Sequence, residues 1–289
     1  MKINYPVLEK TTIINYLNSF KQGKSNIYKI MLDSLYVNGS LVKKNCELNP
    51  GDTITIDFNE ELGFEPTEGS LDILYEDEHF LIINKPAHII IHDEKDSLCN
   101  IVANYYRENN INLSVKYASR LDTDTSGVII FCKDLLTLCY MNDLVLNHNL
   151  KRQYIALCEG QFKKSKGIVE MPIGRDRHNS NRYIVYKNGK YAKTEYEVLD
   201  YKDNKSLVLL TLFTGRTHQI RVHMSYLHHP LIGDVKYGGK SAIRVMLHSY
   251  FEAFKNPYTN ELMEVKCAVP KEFNLRWKYV IWQICQQVL

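Results

Sequence analysis

Two stretches of the chain carry residues able to do chemistry. In the first, Tyr117 to Lys133 (YASRLDTDTSGVIIFCK), Asp122 stands between Arg120 and a Thr123 to Gly127 turn. Val128 to Cys132 is a continuous apolar run with β-branched residues, bounded by Gly127 and Lys133, and predicts a buried strand. Asp122 then lies in a loop entering a sheet, where backbone and hydroxyl donors of the turn can hold a carboxylate as nucleophile or base. A local capping role suits such an aspartate equally well. The second stretch, Thr214 to His223 (TGRTHQIRVH), reads as a turn into a helix. In helical register Ile220, Met224 and Leu227 form a core stripe, while His218, Arg221 and Ser225 share the neighbouring polar face. Arg221 is thereby presented for use. The four histidines from His218 to His229 lack the i, i+4 pair of a helical metal site, so no metal is expected.

The elements around these stretches are legible from periodicity and turn residues. Ile13, Ile14, Leu17 and Ile27, Ile30, Met31 give helical patterns, followed by Leu35 to Val37, an Asn38-Gly39 turn and a closing strand in Gly51 to Phe58. Asn59 to Ser70, acidic and aperiodic with Gly and Pro, reads as a linker. Leu71 to Tyr75 and His79 to Asn84 predict a hairpin ended by Pro86. Asp134 caps a helix running to about Asn147, with Leu135, Leu138, Cys139, Leu144 and Val145 expected toward the core. Arg152 to Gly160 reads as a strand, where Tyr154 has the residue type of a core position. Glu195 to Leu199 and Ser206 to Phe213 pair across a Lys202 to Lys205 turn. Arg175, Arg177, Arg182, Lys187 and Lys190 form a basic surface suited to phosphates, or a solvated loop. Trp277, Tyr279 and Trp282 in the tail from Arg276 to Leu289 are expected to pack in the core.

Composition narrows the class. With 289 residues, 45% hydrophobic and 24% charged, the chain has room for one large domain plus a small module, and disordered, collagenous and membrane classes are excluded. The N-terminus lacks the apolar core of a signal peptide, and no apolar run approaches a membrane span, so a cytoplasmic protein is expected. Seven scattered cysteines without a C-x-x-C pair argue against disulfides and zinc. The net charge of +3 is mild, but the first arginine is Arg107, so phosphate contacts should centre on the later part of the chain.

Arg120-Leu121-Asp122 with Thr125-Ser126-Gly127 resembles the RLDxxTSG signature of the RluA/RluD family of RNA pseudouridine synthases. Further phrases resemble that family in its order: LYEDEHFLIINKP, RQYIA, PIGRD, GK, AKTEY, GRTHQIRVH, HPLIGDVKYGG and LHS. The resemblance covers about residues 71–272. Ser119, Ser249 and Asn256 depart from common family residues and leave substrate choice open. The resemblance implies Asp122 as the catalytic residue, Arg221 as its ion-pair partner and Tyr154 as the tyrosine against the target base. It also implies RNA contacts from Arg120, Arg152, Arg175, Arg182, Lys190, Arg216, His218, Gln219 and Leu247. Residues 1–58 resemble an αL-type RNA-binding module, thinly basic here, with Lys21, Lys24 and Lys29 as its candidates.

The expected architecture is α+β: module 1–58, linker 59–70, and a catalytic domain 71–289 with a mixed, mainly antiparallel central sheet and flanking helices. The antiparallel expectation follows from the hairpins; the sheet's size follows from the resemblance. Pseudouridine formation detaches uracil from ribose, turns it, and rejoins it through ring carbon five. Asp122 can attack the sugar or ring, or take a sugar proton to give a glycal; the sequence leaves both routes open. A bidentate Arg221 would keep the carboxylate ionised and fix its direction. Tyr154 offers a flat face and a phenol that could shuttle a proton. Arg120 could fill the stack vacated by a flipped base. No nucleotide, redox cofactor or metal is implied, and the expected partner is ribosomal or transfer RNA, bound by a monomer. A glycosidic hydrolase, disfavoured because these motifs lack a second carboxylate to activate water, and a non-catalytic RNA-binding or assembly factor are the other classes.

Overall fold

The computed structural model describes all residues except 94, 180, 275, 276, 278, 279 and 281–289. The chain opens with β1 (Lys2–Pro6), β2 (Thr11–Thr12), α1 (Ile13–Ser19), α2 (Lys24–Asp33), β3 (Leu35–Val37), β4 (Ser40–Leu41), β5 (Glu47–Leu48) and β6 (Thr53–Asp57). β6 is antiparallel to both β1 and β3, and β4 closes the hairpin from β3 through Asn38-Gly39. α1 begins where the Thr12 hydroxyl accepts the Asn15 N–H, an N-cap that satisfies one of the free donors of the first turn. Ile13, Leu17, Ile27 and Ile30 are buried as their helical spacing requires.

Residues 59–70 contain no helix or strand but are not free chain. The Glu60 carboxylate accepts hydrogen bonds from Ser114 and Lys116, the Asn100 amide donates to the Glu65 carbonyl at 2.7 Å, and the Val115 N–H donates to the Leu62 carbonyl at 2.9 Å.

There follow β7 (Ile73–Glu76), β8 (Phe80–Lys85), α3 (Leu98–Glu108), β9 (Ser126–Cys132), α4 (Leu135–Leu146), β10 (Lys151–Glu159), β11 (Lys166–Glu170), β12 (Ile173–Arg175), β13 (Tyr183–Val185) and β14 (Lys193–Lys202). The chain continues through β15 (Lys205–Leu212), α5 (Gln219–Tyr226), β16 (Leu247–Lys255), β17 (Leu262–Lys266) and α6 (Lys271–Asn274). Nine strands form one sheet in the order β11-β14-β15-β10-β16-β9-β8-β7, with β17 beside β16. Among the described residues β9 and β16 are its one parallel pair. β16 changes neighbour along its length: His248 and Ser249 lie beside β9, whereas Phe251 to Lys255 lie beside β17. This is the mixed, mainly antiparallel α+β sheet that the hairpins and the resemblance predict.

β9 is buried along its whole length, as an uninterrupted apolar run in a covered strand should be. α4 is capped by Asp134 as expected, and Leu144 in the core with Leu135, Leu138 and Val145 packed against it follow expectation, whereas Leu136, Thr137 and Met141 are buried beyond it. Leu136, Thr137, Met141 and Leu144 are the buried positions, while Leu135, Leu138, Cys139 and Val145 are only half-buried. The helix is apolar nearly all round, so periodicity alone does not fix its rotation. Trp277 is buried, and Tyr279 and Trp282 lie outside the described residues.

The N-terminal sheet packs onto the large one through aromatic rings. Tyr258 stacks on His79 at 3.6 Å and on Phe20 at 5.6 Å, and its ring lies 5.8 Å from Tyr5. Gln22 donates to the Leu135 carbonyl at 3.2 Å, and the Asn4 N–H donates to Glu78 at 2.7 Å. Residues of both sheets belong to one contiguous apolar core.

Candidate active site

A cleft of about 900 Å³ opens where the loop before β9, the floor strand β10 and the N-terminal end of α5 meet. Asp122, Tyr154 and Arg221, distant in sequence, all line it, together with Arg120, Arg152, Arg216, His218, Gln219 and Leu247. Arg175, Arg182 and Lys190 do not line it. The Arg175 and Arg182 guanidinium carbons lie 6.0 Å and 5.5 Å from the Tyr183 and Tyr237 rings beside it, and Lys190 is an exposed residue bridged to Ile173.

Asp122 keeps 26% of its side chain exposed and accepts a hydrogen bond from Arg221 Nη1 at 3.1 Å. Among the described residues this is the carboxylate's one hydrogen bond. Two of the turn donors expected to hold it are used otherwise: the Thr125 N–H bonds the Asp122 carbonyl at 3.0 Å, and the Ser126 hydroxyl meets His248 Nδ1 at 2.8 Å. A carboxylate with one anchor and an open side is free to meet a substrate.

The bidentate arrangement expected between Arg221 and Asp122 is made instead with Asp234. Arg221 Nε donates to Asp234 Oδ2 at 2.7 Å and Nη2 to Oδ1 at 2.8 Å, leaving Nη1 for Asp122. Asp234 is fully buried and Arg221 only 7% exposed. Burial pulls the guanidinium pKa down, but hydrogen bonds and charge from Asp234, then Asp122, outweigh it and raise it above its ordinary value. Asp234 therefore fixes the orientation of the arginine and screens part of its charge.

Asp234 owes its place to Gly233, which has φ +85°; a Cβ there would stand 1.8 Å from the Arg244 carbonyl oxygen. Only glycine permits that turn and that approach. Arg244 in turn donates from Nη2 to Ser126 Oγ at 2.7 Å and to the Leu247 carbonyl at 2.8 Å, tying the start of β9 to the start of β16. Beneath the Asp122 loop the buried Lys85 Nζ donates to the carbonyls of Ile89, Pro86 and Thr123 at 2.7, 2.9 and 3.0 Å. Burial, aided by Arg244, pushes its pKa down to about 8. Lys85 and Asp234 appear in the sequence only inside NKP and IGDV, and neither has a spacing signal of its own. The only sign of Asp234 was its place in HPLIGDVKYGG, a phrase that resembles the family.

His218 caps α5 with φ 58°, a left-handed conformation uncommon for a residue with a Cβ and typical of constrained sites. Its Nδ1 meets the Tyr237 hydroxyl at 2.7 Å, and its Nε2 lies 3.9 Å from Asp122 Oδ2. The Tyr183 N–H donates to the Tyr237 oxygen at 3.1 Å, so the phenol can give its own proton to Nδ1 and direct Nε2–H toward Asp122. Burial lowers the His218 pKa against the pull of Asp122, so the ring is neutral at neutral pH. Gln219 is committed to the protein. Its amide accepts from Thr214 and the Arg216 N–H and donates to the Lys193 carbonyl and Thr194. It holds the turn that shapes one wall of the cleft.

Tyr154 lies on β10 opposite Ser249 of β16 and Leu210 of β15. It is buried, and burial, then the nearby Glu252, pushes its phenol up to about 12. At neutral pH it stays protonated, suited to packing and hydrogen-bond donation and unsuited to acting as a base.

Comparison with known proteins agrees with this geometry. The pattern of the RNA pseudouridylate synthase family matches residues 79–226. The uncharacterized RNA pseudouridine synthase YhcT of Bacillus subtilis is 41% identical over 246 residues, 82% of this chain and 82% of that one. The ribosomal large subunit pseudouridine synthase D of Borreliella burgdorferi is 35% identical over 243 residues, 77% of this chain and 73% of the relative. Among solved structures, human RNA pseudouridylate synthase domain containing 1 superposes with a TM-score of 0.60 at 27% identity, covering 71% of this chain and 86% of the other. The chain belongs to the RNA pseudouridine synthase family, isomerases that act on RNA.

Proposed function

We propose that Asp122 is the catalytic residue and that the substrate is a uridine presented by structured RNA, in large-subunit ribosomal RNA or transfer RNA. The observation that carries the reading is the Asp122–Arg221–Asp234 chain at the mouth of a cleft whose floor bears Tyr154. Arg221 directs the carboxylate, which either bonds to ribose C1′ or takes the C2′ proton as the N1–C1′ bond breaks. Tyr154 supports the face of the loose uracil while C5 turns toward C1′. The Borreliella relative's name favours large-subunit ribosomal RNA as the first substrate to try. The enzyme is taken to be a cytoplasmic monomer working without a cofactor.

Flipping a uridine out of a stack costs about a few kcal/mol. Arg120, exposed at the rim beside Asp122, is placed to fill the gap. Arg120→Ala should therefore lose activity on folded RNA and keep it on a short single strand; equal activity on both would remove that role.

The test of the substrate is release of tritium from uridine labelled at C5, in separate pools of unmodified ribosomal and transfer RNA. Release by wild type in one pool, absent with Asp122→Asn, is expected and names the substrate class. Tight RNA binding with no release in either pool would point to an RNA-binding factor on an isomerase scaffold.

A further inference from the structure

We propose that Arg152 acts on the base rather than on the RNA backbone, its guanidinium taking the negative charge left on uracil as the glycosidic bond breaks. The proposal rests on the isomerase reading of the cleft. When N1–C1′ breaks, its electron pair stays with the base and spreads over the ring carbonyl oxygens. C1′ is satisfied either by a new bond to the Asp122 carboxylate or by a double bond to C2′ whose proton Asp122 takes. In both routes the anionic uracil needs a donor in a water-poor site.

Arg152 meets that need in four respects. It lines the cleft yet is 5% exposed, and its Nε and Nη2 have no hydrogen-bond partner among the described residues. Buried guanidinium donors are rarely left unpaired, so a ligand atom is the natural acceptor. Arg152 stands two residues before Tyr154 on the same face of β10, about 7 Å along the strand, within reach of a ring lying on the tyrosine. Gly215 gives it room: a Cβ there would come 2.9 Å from Nη1.

Glu252 is the fourth. It is opposite Arg152 in the β10–β16 register and fully buried, and neither carboxyl oxygen has a partner among the described residues. Burial pushes its pKa up to about 8, with Arg152 opposing, so near neutral pH it is protonated and leaves the charge of Arg152 whole. Phosphates of a bound strand would run along the rim, where Arg120 is exposed, not at this depth.

Single-turnover rates at saturating RNA, measured beside RNA affinity and its salt dependence, test the assignment. Arg152→Gln should slow the reaction about 100-fold while affinity stays within about threefold. Arg152→Lys should lose less. Because Arg152→Gln also changes the neighbour of the buried Glu252, the paired Arg152→Gln/Glu252→Gln variant is measured too, with RNA binding as the check on folding. RNA carrying 5-fluorouridine, whose electron-withdrawing substituent makes the base a better leaving group, should shrink the Arg152→Gln deficit in N1–C1′ cleavage. An equal deficit on both nucleotides would overturn the assignment. So would weakened binding with a shallower salt dependence and an intact rate, the signature of a phosphate contact. Wild type that turns over neither RNA would instead remove the isomerase reading itself.

Discussion

Arg221 donates to two carboxylates, and the contacts are unequal: two short bonds hold Asp234, one longer bond reaches Asp122. Asp234→Asn should cost about 3 kcal/mol of stability, since it leaves a buried guanidinium short of countercharge. It should also lower the turnover rate by letting Arg221 swing. Denaturant midpoints and single-turnover rates check both; an unchanged midpoint would show that Asp234 bears no such load. Glu252 makes a pH prediction. The unfolded chain sheds this proton near the ordinary value of 4.5, the folded one near 8. Between those values the folded state holds a proton that the unfolded state lacks, so stability falls as pH rises through the window. Glu252→Gln should therefore raise the melting temperature at about pH 8 and leave it little changed at about pH 4. Asp122 and Arg221 were legible because each sits in a dense motif. Asp234, Lys85 and Glu252 were not, because their roles arise from burial and cross-strand neighbours that single-chain spacing does not contain.

At the scale of elements, the site depends on turns that set where helices and strands begin. Gly233→Ala places a Cβ against the Arg244 carbonyl in a left-handed turn. It should shift Asp234 and reduce both stability and activity, more than an alanine at the open Gly63, where no atom lies within 4 Å of the added carbon. Comparing the melting temperatures of the two variants separates the clash from the backbone conformation they share. Strands announced themselves through apolar runs and hairpin turns, and β9, β10, β14 and β15 stand where those signals placed them. β1 and α3 were not among the expectations. β1 carries only Ile3 and Tyr5 as buried residues in a short alternation, too little to mark a strand. The deepest positions of α4, Leu136, Thr137 and Met141, were not legible because a helix apolar on most sides has no distinctive inner face.

At the scale of the whole molecule, the N-terminal sheet and the large central sheet share one core through Tyr5, Phe20, His79 and Tyr258. Tyr258→Ala, which empties the centre of that aromatic cluster, should lower the melting temperature and keep a single transition. Two separate transitions would show that the parts fold independently. The resemblance marked residues 1–58 as a module, but its docking was not legible, since aromatic contacts between remote segments leave no local pattern. The same holds for the cleft: three motifs name its residues, and only the sheet brings them together. The most direct test of Asp122 as the catalytic residue is the single-turnover rate of Asp122→Asn on RNA that the wild type modifies, at saturating concentration and with affinity measured alongside. Turnover should disappear while RNA affinity stays within about threefold, because the change removes the proposed reacting carboxylate and little binding surface. Turnover by Asp122→Asn at the wild-type rate would contradict that role.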